Sequence, residues 1–359
     1  MRFVPANCIR EGMIVAKQLL GKNGELLLNV GTVIRPAYIN KIKELGYNGI
    51  YVEDDLSQDI VIVELISESL RTKAIKTIKT AFIGLESGNN LSSETLGVFE
   101  DIINSIINEI VANKDIMINM IDMKIFDDYT FYHSLNVYVL STIIGISLKL
   151  DKENLYKLAL ASMLHDIGKV FIPKEILNKP GKLTQHEFNI MSTHSAKGYE
   201  YLRRNPHIPT SSYIGILHHH ERYNGSGYPL RFQGKKISLF GRIIAIADVY
   251  DALTSDRPYR KALSPSEAIE FIMGGGGSMF DPEIVSYFVQ KIAPYPVGTC
   301  IALSDGRVAL VVENYSDCPI RPKVKVLKHG NKLVTPYLID LKNDFTLRNI
   351  TIIGMSNEI

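Results

Sequence analysis

Eight of the nine histidines, at positions 133, 165, 186, 194, 207, 218, 219 and 220, fall within one stretch of the chain, and only His329 lies outside it. Histidine is the commonest side-chain ligand of transition metals, and several of these histidines stand beside carboxylates. The sharpest grouping is His165-Asp166-Ile167-Gly168-Lys169, which closes an apolar segment whose Leu155, Leu158, Ala159 and Ser162 recur at helical spacing. An adjacent His-Asp pair supplies one imidazole and one carboxylate, and the two oxygens of the carboxylate can bridge two ions. Alone, such a pair would be an ordinary helix end, with Gly168 capping it and Lys169 compensating the dipole.

Other groupings raise its weight. Leu217-His218-His219-His220-Glu221 runs into the Gly-rich turn Arg222-Tyr223-Asn224-Gly225-Ser226-Gly227-Tyr228-Pro229. Successive helical side chains diverge by about 100°, so only two of the three histidines can easily face one site. A solvated loop would not be led in by the apolar Ile214 and Leu217. In Ala245-Ile246-Ala247-Asp248-Val249-Tyr250-Asp251-Ala252-Leu253-Thr254, Asp248 sits within an apolar helix, where an unpaired carboxylate is costly and a metal or ion pair would relieve it. Asp251 reads as a hydrogen-bonding residue on the side of that helix. His133, in Tyr129-Thr130-Phe131-Tyr132-His133-Ser134, and His194, in Ser192-Thr193-His194-Ser195, would each alone be a hydrogen-bonded core histidine, the reading kept for His186 and His207.

The elements that must carry these groups are mostly helical. Residues 1–56 read as a small α+β module, with apolar runs at 12–16 and 25–28 around a turn at 21–24, a short helix at 37–45 and a strand at 49–52. A helical connector spans 57–115, with helices expected at 61–82 and 94–112. An all-helical catalytic domain follows at 116–295, with start signals at Thr184-Gln185-His186-Glu187 and Asp281-Pro282-Glu283. Residues 296–359 form a β-rich module through 309–312 and 324–327. The fold class expected is therefore mainly α, with a small α+β module before the helical domain and a small β module after it.

Composition narrows the function. Lys plus Arg number 40 and Asp plus Glu 38, a net charge of +2, which argues against coating DNA, RNA or an anionic membrane, so an anionic ligand must be gripped locally. Cys8, Cys300 and Cys318 show no CxxC spacing, which suits neither a disulfide framework nor a thiolate metal site and points to a reducing cytoplasm. The opening residues lack the apolar core of a signal peptide, and the longest apolar stretch, 135–148, is too short and mixed to span a bilayer. Gly274-Gly275-Gly276-Gly277 matches no phosphate fingerprint and reads as an interhelical loop. Lys323, Lys325, Lys328 and Lys332 read as the wet face of strands.

Taken together, HDIGK, the HHE that runs on to Gly-Tyr-Pro, and ADxYDALTxxRPYR occur in order over about residues 120 to 290 and resemble the HD-GYP subgroup of the HD phosphohydrolase superfamily. The resemblance implies helices converging on a cluster of iron or manganese ions. It implies His133, His165, Asp166 and Asp248 around one metal, and His194, His219 and His220 with bridging Asp166 around a second, His218 lying outside. It further implies Lys169 on a substrate phosphate, and Tyr228, Arg257 and Arg260 in substrate binding. Two departures stand out. Some members carry Glu four residues before the first ligand histidine; here that residue is Tyr129, which favours two metals over three. The usual Asp of the ExxDG stretch is Asn224, which keeps the turn propensity and loses a charge.

The activity implied is hydrolysis of cyclic di-GMP to pGpG, and onward to GMP in some cases, by a metal-bridging hydroxide with Asp166 and Lys169 at the reaction centre. Two alternatives stand beside it: a catalytically silent cyclic-dinucleotide receptor, and a hydrolase of another cyclic dinucleotide such as cyclic GMP-AMP. The helices between 61 and 112 could pack on the catalytic domain or form the seam of a homodimer, and neither the input signal nor the role of the terminal modules is legible.

Overall fold

The computed structural model describes residues 1–21, 25–113, 117–118, 129–255 and 262–356. The N-terminal module contains strands β1 (Arg2–Pro5), β2 (Ile14–Val15), β3 (Leu19–Leu20), β4 (Leu26–Leu28) and β5 (Gly49–Glu53), with helix α1 (Pro36–Glu44) before β5. Its main sheet is antiparallel in the order β1-β5-β2, and β3 pairs with β4. The turn signal at Lys22-Asn23-Gly24 falls outside the described residues.

The expected helix at 61–82 starts later than its apolar content suggests. Helix α2 is Glu68–Glu86. Before it, Ile60 and Ile62 are buried while Val61 and Val63 are exposed, the two-residue alternation of an extended segment. Ser67 marks the start of α2, and Gly88, at φ +84°, turns the chain away just past its end. Helix α3 is Ser93–Ala112, with the Ser92 hydroxyl accepting from Thr95 N.

Helices α4 (Tyr129–Ser147), α5 (Lys152–Met163), α6 (Lys174–Leu177), α7 (Gln185–Met191), α8 (His194–Leu202), α9 (Thr210–His218), α10 (Leu239–Thr254), α11 (Pro265–Gly274) and α12 (Pro282–Lys291) come next. Leu135 to Leu140 are buried without interruption, so α4 is covered all round and forms the central rod. It packs against α2, α5, α10 and α12, and α9 fills the space beside α5 and α10. Local chemistry sets the boundaries: Asp151 caps α5, Ser238 caps α10, and capping boxes open α7 (Thr184, Glu187) and α11 (Ser264, Glu267). Gly274–Gly277 does end α11 ahead of α12, whose cap Asp281 also pairs with Arg242 of α10. Among the described residues, no helix is long and apolar enough to cross a membrane.

The last module is an antiparallel sheet of β6 (Cys300–Leu303), β7 (Arg307–Glu313), β8 (Lys323–His329), β9 (Lys332–Asp340) and β10 (Ile352–Met355), in the order β10-β6-β7-β8-β9. It shares an apolar cluster with the N-terminal module: Tyr51, Ile60 and Ile62 meet Cys300, Leu310 and Leu327. Phe3 N donates to Gly298 O at 2.8 Å. Lys325 is no wet-face lysine, because its Nζ pairs with Asp59 and donates to Leu56 O at 3.2 Å.

One tether sets the position of α4. Tyr138 is fully buried and its hydroxyl donates to Ile103 O of α3 at 3.0 Å. Tyr138→Phe keeps the packing and removes this bond, so urea unfolding should show a loss of about 1 kcal/mol. Unchanged stability would deny the tether any role.

Candidate metal centre

Five segments deliver the site. His133 comes from the interior of α4, His165 and Asp166 from the turn after α5, His194 from the first residue of α8, His219 and His220 from the end of α9, and Asp248 from α10. The turn after α5 runs into a 3-10 helix at Ile167–Phe171, which swings Lys169 back over Asp166. Gly168 permits this. A Cβ there would lie 1.9 Å from His194 O and 2.6 Å from Gly198 N, so the turn and α8 can touch only if position 168 has no side chain.

The ligating atoms gather into two groups, each with its atoms within 4.8 Å of one another: His133, His165 and Asp166, and His194, His219 and His220. Asp166 lies between them. Its Oδ2 is 3.3 Å from His165 Nε2 and 3.7 Å from His133 Nε2, while Oδ1 is 3.4 Å from His194 Nε2. Asp248 Oδ1 is 3.2 Å from His133 Nε2, and its Oδ2 is 4.0 Å from His220 Nδ1. Lys169 Nζ donates to Asp166 Oδ2 at 2.6 Å.

Whether these residues suit a cation can be decided from their hydrogen bonds. His165, His194 and His219 each turn Nδ1 to the backbone carbonyl three residues earlier: Ser162 at 2.8 Å, Met191 at 2.8 Å and Ile216 at 2.5 Å. A carbonyl only accepts, so Nδ1 carries the proton and Nε2 presents a bare lone pair to the centre. His194 Nε2 and His219 Nε2 then face each other at 3.3 Å with no proton to share. Burial lowers the pKa of both imidazoles, which keeps them neutral. His165 Nε2 is fully buried and has no hydrogen-bond partner among the described residues. Converging lone pairs repel unless a positive ion lies among them. The donor set fits one.

The charges agree. Burial alone would raise the Asp166 carboxyl, but the Lys169 ammonium outweighs it and holds Asp166 well below the usual carboxylate range. Asp248 is likewise held low against its burial, by the hydrogen bond with His133. Burial also drives His220 down to about 3, helped by His194. His133 goes the other way: burial would lower it, yet its hydrogen bonds with Asp248 and Asp251 push it up to about 9.

Other residues singled out from the sequence fall in several places. The Tyr228 ring stacks on His220, with centroids 4.8 Å apart, and meets the edge of Phe188 at 6.0 Å. Tyr129 opens α4, but its side chain lies outside the described residues, as do Arg257 and Arg260 entirely. His218 is turned away: its Nδ1 accepts from Ser238 N at 3.1 Å and its ring packs on Phe232. His186 and His207 are exposed and belong to neither group of converging ligand atoms. Asn224 keeps the turn, its side chain accepting from Ser226 N at 3.0 Å. Motif reading includes Glu221 but gives it no role. Its carboxylate accepts from Leu230 N at 2.6 Å and Phe232 N at 3.1 Å, which folds the Gly-Tyr-Pro loop back towards α9. Its place directly after the histidines is the one signal that could have found it.

The geometry gives meaning to likeness with known proteins. A family model described as HD domain matches residues 104–284, half of the chain. The chain belongs to the HD domain family. That family is metal-dependent, and the His/Asp groups above are able to hold metal. A model described as a KOW domain associated with HD domain matches residues 300–353, the C-terminal sheet. This HD-family chain is 37% identical over 226 residues to a cyclic di-GMP phosphodiesterase of Pseudomonas aeruginosa, covering 63% of this chain and 54% of that protein. It is 30% identical over 287 residues to a cyclic di-GMP phosphodiesterase of Thermotoga maritima, covering 78% and 75%. It is 43% identical over 132 residues to the 3′3′-cGAMP-specific phosphodiesterase 2 of Vibrio cholerae, covering 36% and 25%. The chain thus spans about half the length of the Pseudomonas relative and a quarter of the Vibrio one.

Two outcomes are expected. A metal that uses His133 Nε2 must displace its proton, so Mn²⁺ affinity measured calorimetrically on metal-stripped protein should climb from pH 7 to about 9 and then level off. By the same raised pKa, the metal-free protein holds this stabilisation below pH 6.5 and loses it as pH rises through about 9. An affinity that is flat from pH 7 to 9 would contradict the assignment. Separately, Gly168→Ala should cost about 1–3 kcal/mol on urea unfolding, because α8 must move aside. Wild-type stability would mean that the contact yields freely.

Proposed function

We propose that the chain is a metal-dependent phosphodiesterase that hydrolyses a cyclic dinucleotide, with cyclic di-GMP as its first substrate. The observation that carries this reading is the face-to-face arrangement of unprotonated imidazole nitrogens around Asp166, a carboxylate with one oxygen towards each histidine group. The ligand sets proposed are His133, His165, Asp166 and Asp248 for one ion, and Asp166, His194, His219 and His220 for the other. Tyr129, four residues before His133, brings no further carboxylate to that position, which supports two ions rather than three. Imidazole and carboxylate without thiolate suit iron or manganese.

Divalent ions held there would supply Lewis acidity and acidify water at neutral pH. The chain's own groups do the rest. Asp166 and Asp248 carry the negative charge that holds the site together. Lys169 Nζ, 2.6 Å from Asp166, is the nearest side-chain cation among the described residues and is partly exposed, so it can turn to a phosphoryl oxygen as charge builds there. Tyr228, stacked on His220, offers a ring beside the centre for the sugar or base. Arg257 and Arg260 come after α10 in sequence and are proposed to fork onto phosphate or the guanine edge. Water adds to phosphorus, the bond from phosphorus to the 3′ oxygen breaks, and the products are a 5′ phosphomonoester and a 3′ alcohol, pGpG from cyclic di-GMP.

The relatives support the substrate class and include both cyclic di-GMP and 3′3′-cGAMP phosphodiesterases. Turnover of each dinucleotide by the full chain with Mn²⁺ or Fe²⁺ should therefore be measured in competition. Asp166→Ala should lose both bound metal and turnover, and Lys169→Ala should keep the metal while turnover falls about 10²–10³-fold. Binding without hydrolysis in the metal-loaded parent would favour the silent receptor instead, and preference for the hybrid dinucleotide would reassign the substrate.

A further inference from the structure

The proposed ligand histidines are not held alike. His165, His194 and His219 stand at helix ends or in turns, where the carbonyl three residues back is available to receive Nδ1–H. His133 is in the interior of α4, where backbone carbonyls are committed to the helix ladder. The carbonyl three residues before it, Thr130 O, also accepts from the Ser134 hydroxyl at 3.0 Å. A histidine there needs a side-chain acceptor from another helix.

Asp251 of α10 supplies it. Asp251 is fully buried, and its Oδ2 lies 2.7 Å from His133 Nδ1. Its Oδ1 accepts from Asn136 Nδ2 at 2.7 Å, from the same face of α4 and three residues on from His133. The carboxylate is therefore pinned at both oxygens between two residues of one helix. Asp248, three residues earlier on α10, reaches the opposite ring nitrogen at 3.2 Å.

We propose that Asp251 is a positioning residue: it fixes His133 with the proton on Nδ1 and strengthens the metal position that His133 serves, leaving the His194–His219–His220 position untouched. This rests on the reading that the cluster holds metal. An ionised acceptor makes the imidazole a better donor than a carbonyl does. The His133 position should thus be the tighter of the two, and the tighter because of Asp251.

The test is Mn²⁺ titration of the metal-stripped full chain, followed by calorimetry and by the paramagnetic signal of free Mn²⁺, for the parent and for Asp251→Asn. The substitution keeps the volume. The new amide can meet Asn136 with its oxygen only by turning its NH₂ towards His133, which drives the ring proton to Nε2. The expected result is that one class of site weakens about 10–100-fold and the other keeps its affinity. Equal weakening of both classes, or of neither, overturns the proposal. A parent that binds no Mn²⁺ would instead sink the metal reading itself. Should the variant fail to fold, the Zn²⁺-loaded parent decides: nitrogen-15 NMR must find the His133 proton on Nδ1, and a proton on Nε2 there overturns the assignment.

Discussion

Burial of a carboxylate among imidazoles is the constraint on which this molecule turns. Asp166 is 2% exposed and has His133, His165, His194 and Lys169 about it. A lone carboxylate in that setting would take up a proton, and lone imidazoles would avoid one another. Here the carboxylate stays ionised because the Lys169 ammonium pairs with it, while several rings remain neutral and aim bare nitrogens at a shared centre. Such an arrangement persists only if the backbone holds every member against its own repulsion. The apolar helices do that. Leu158, Ala159, Ile243 and Ile246 are wholly buried in the α5 and α10 helices that carry or lead into the ligands, and α4 is enclosed on all sides.

Much of this is legible in the chain because the groups come in compact motifs. His165 and Asp166 are adjacent, His219 and His220 are adjacent, and Asp248 is conspicuous as a charge within an apolar run. The mainly helical class, the small mixed module before it and the β module after it also emerge from periodicity. Relations between separate helices do not. Asp251 reads as a hydrogen-bonding residue, but its partner His133 is 118 positions away, on a helix whose facing cannot be read from α10. Glu221 and Gly168 lie within the motifs, but the backbone groups they serve, Leu230 N, Phe232 N and His194 O, are not named by them. The start of α2 is misplaced by sequence because Val61, Ile62, Val63, Leu65 and Ile66 are apolar enough to suit either a helix or a strand, and a period of two cannot be told from one of 3.6 over so short a run.

The terminal modules show the same limit. By pattern each reads as a separate module, and the lysines of β8 read as solvent-facing residues. In the fold, Lys325 reaches Asp59 and Leu56, the amino terminus donates to Ser57 O at 2.7 Å and Ile60 O at 2.9 Å, and Ile62 packs against Gly298. Contacts between residues from about 50 to more than 250 positions apart leave no local trace in composition.

Their union has a mechanical consequence. The chain joins the helical domain to this platform twice, through residues 61–67 and again through residues 293–297. A body on two straps has fewer ways to move than a body on one. A rearrangement of the platform would be felt at both ends of the helical domain, at α2 and at α12, each of which packs against α4, the rod that carries His133.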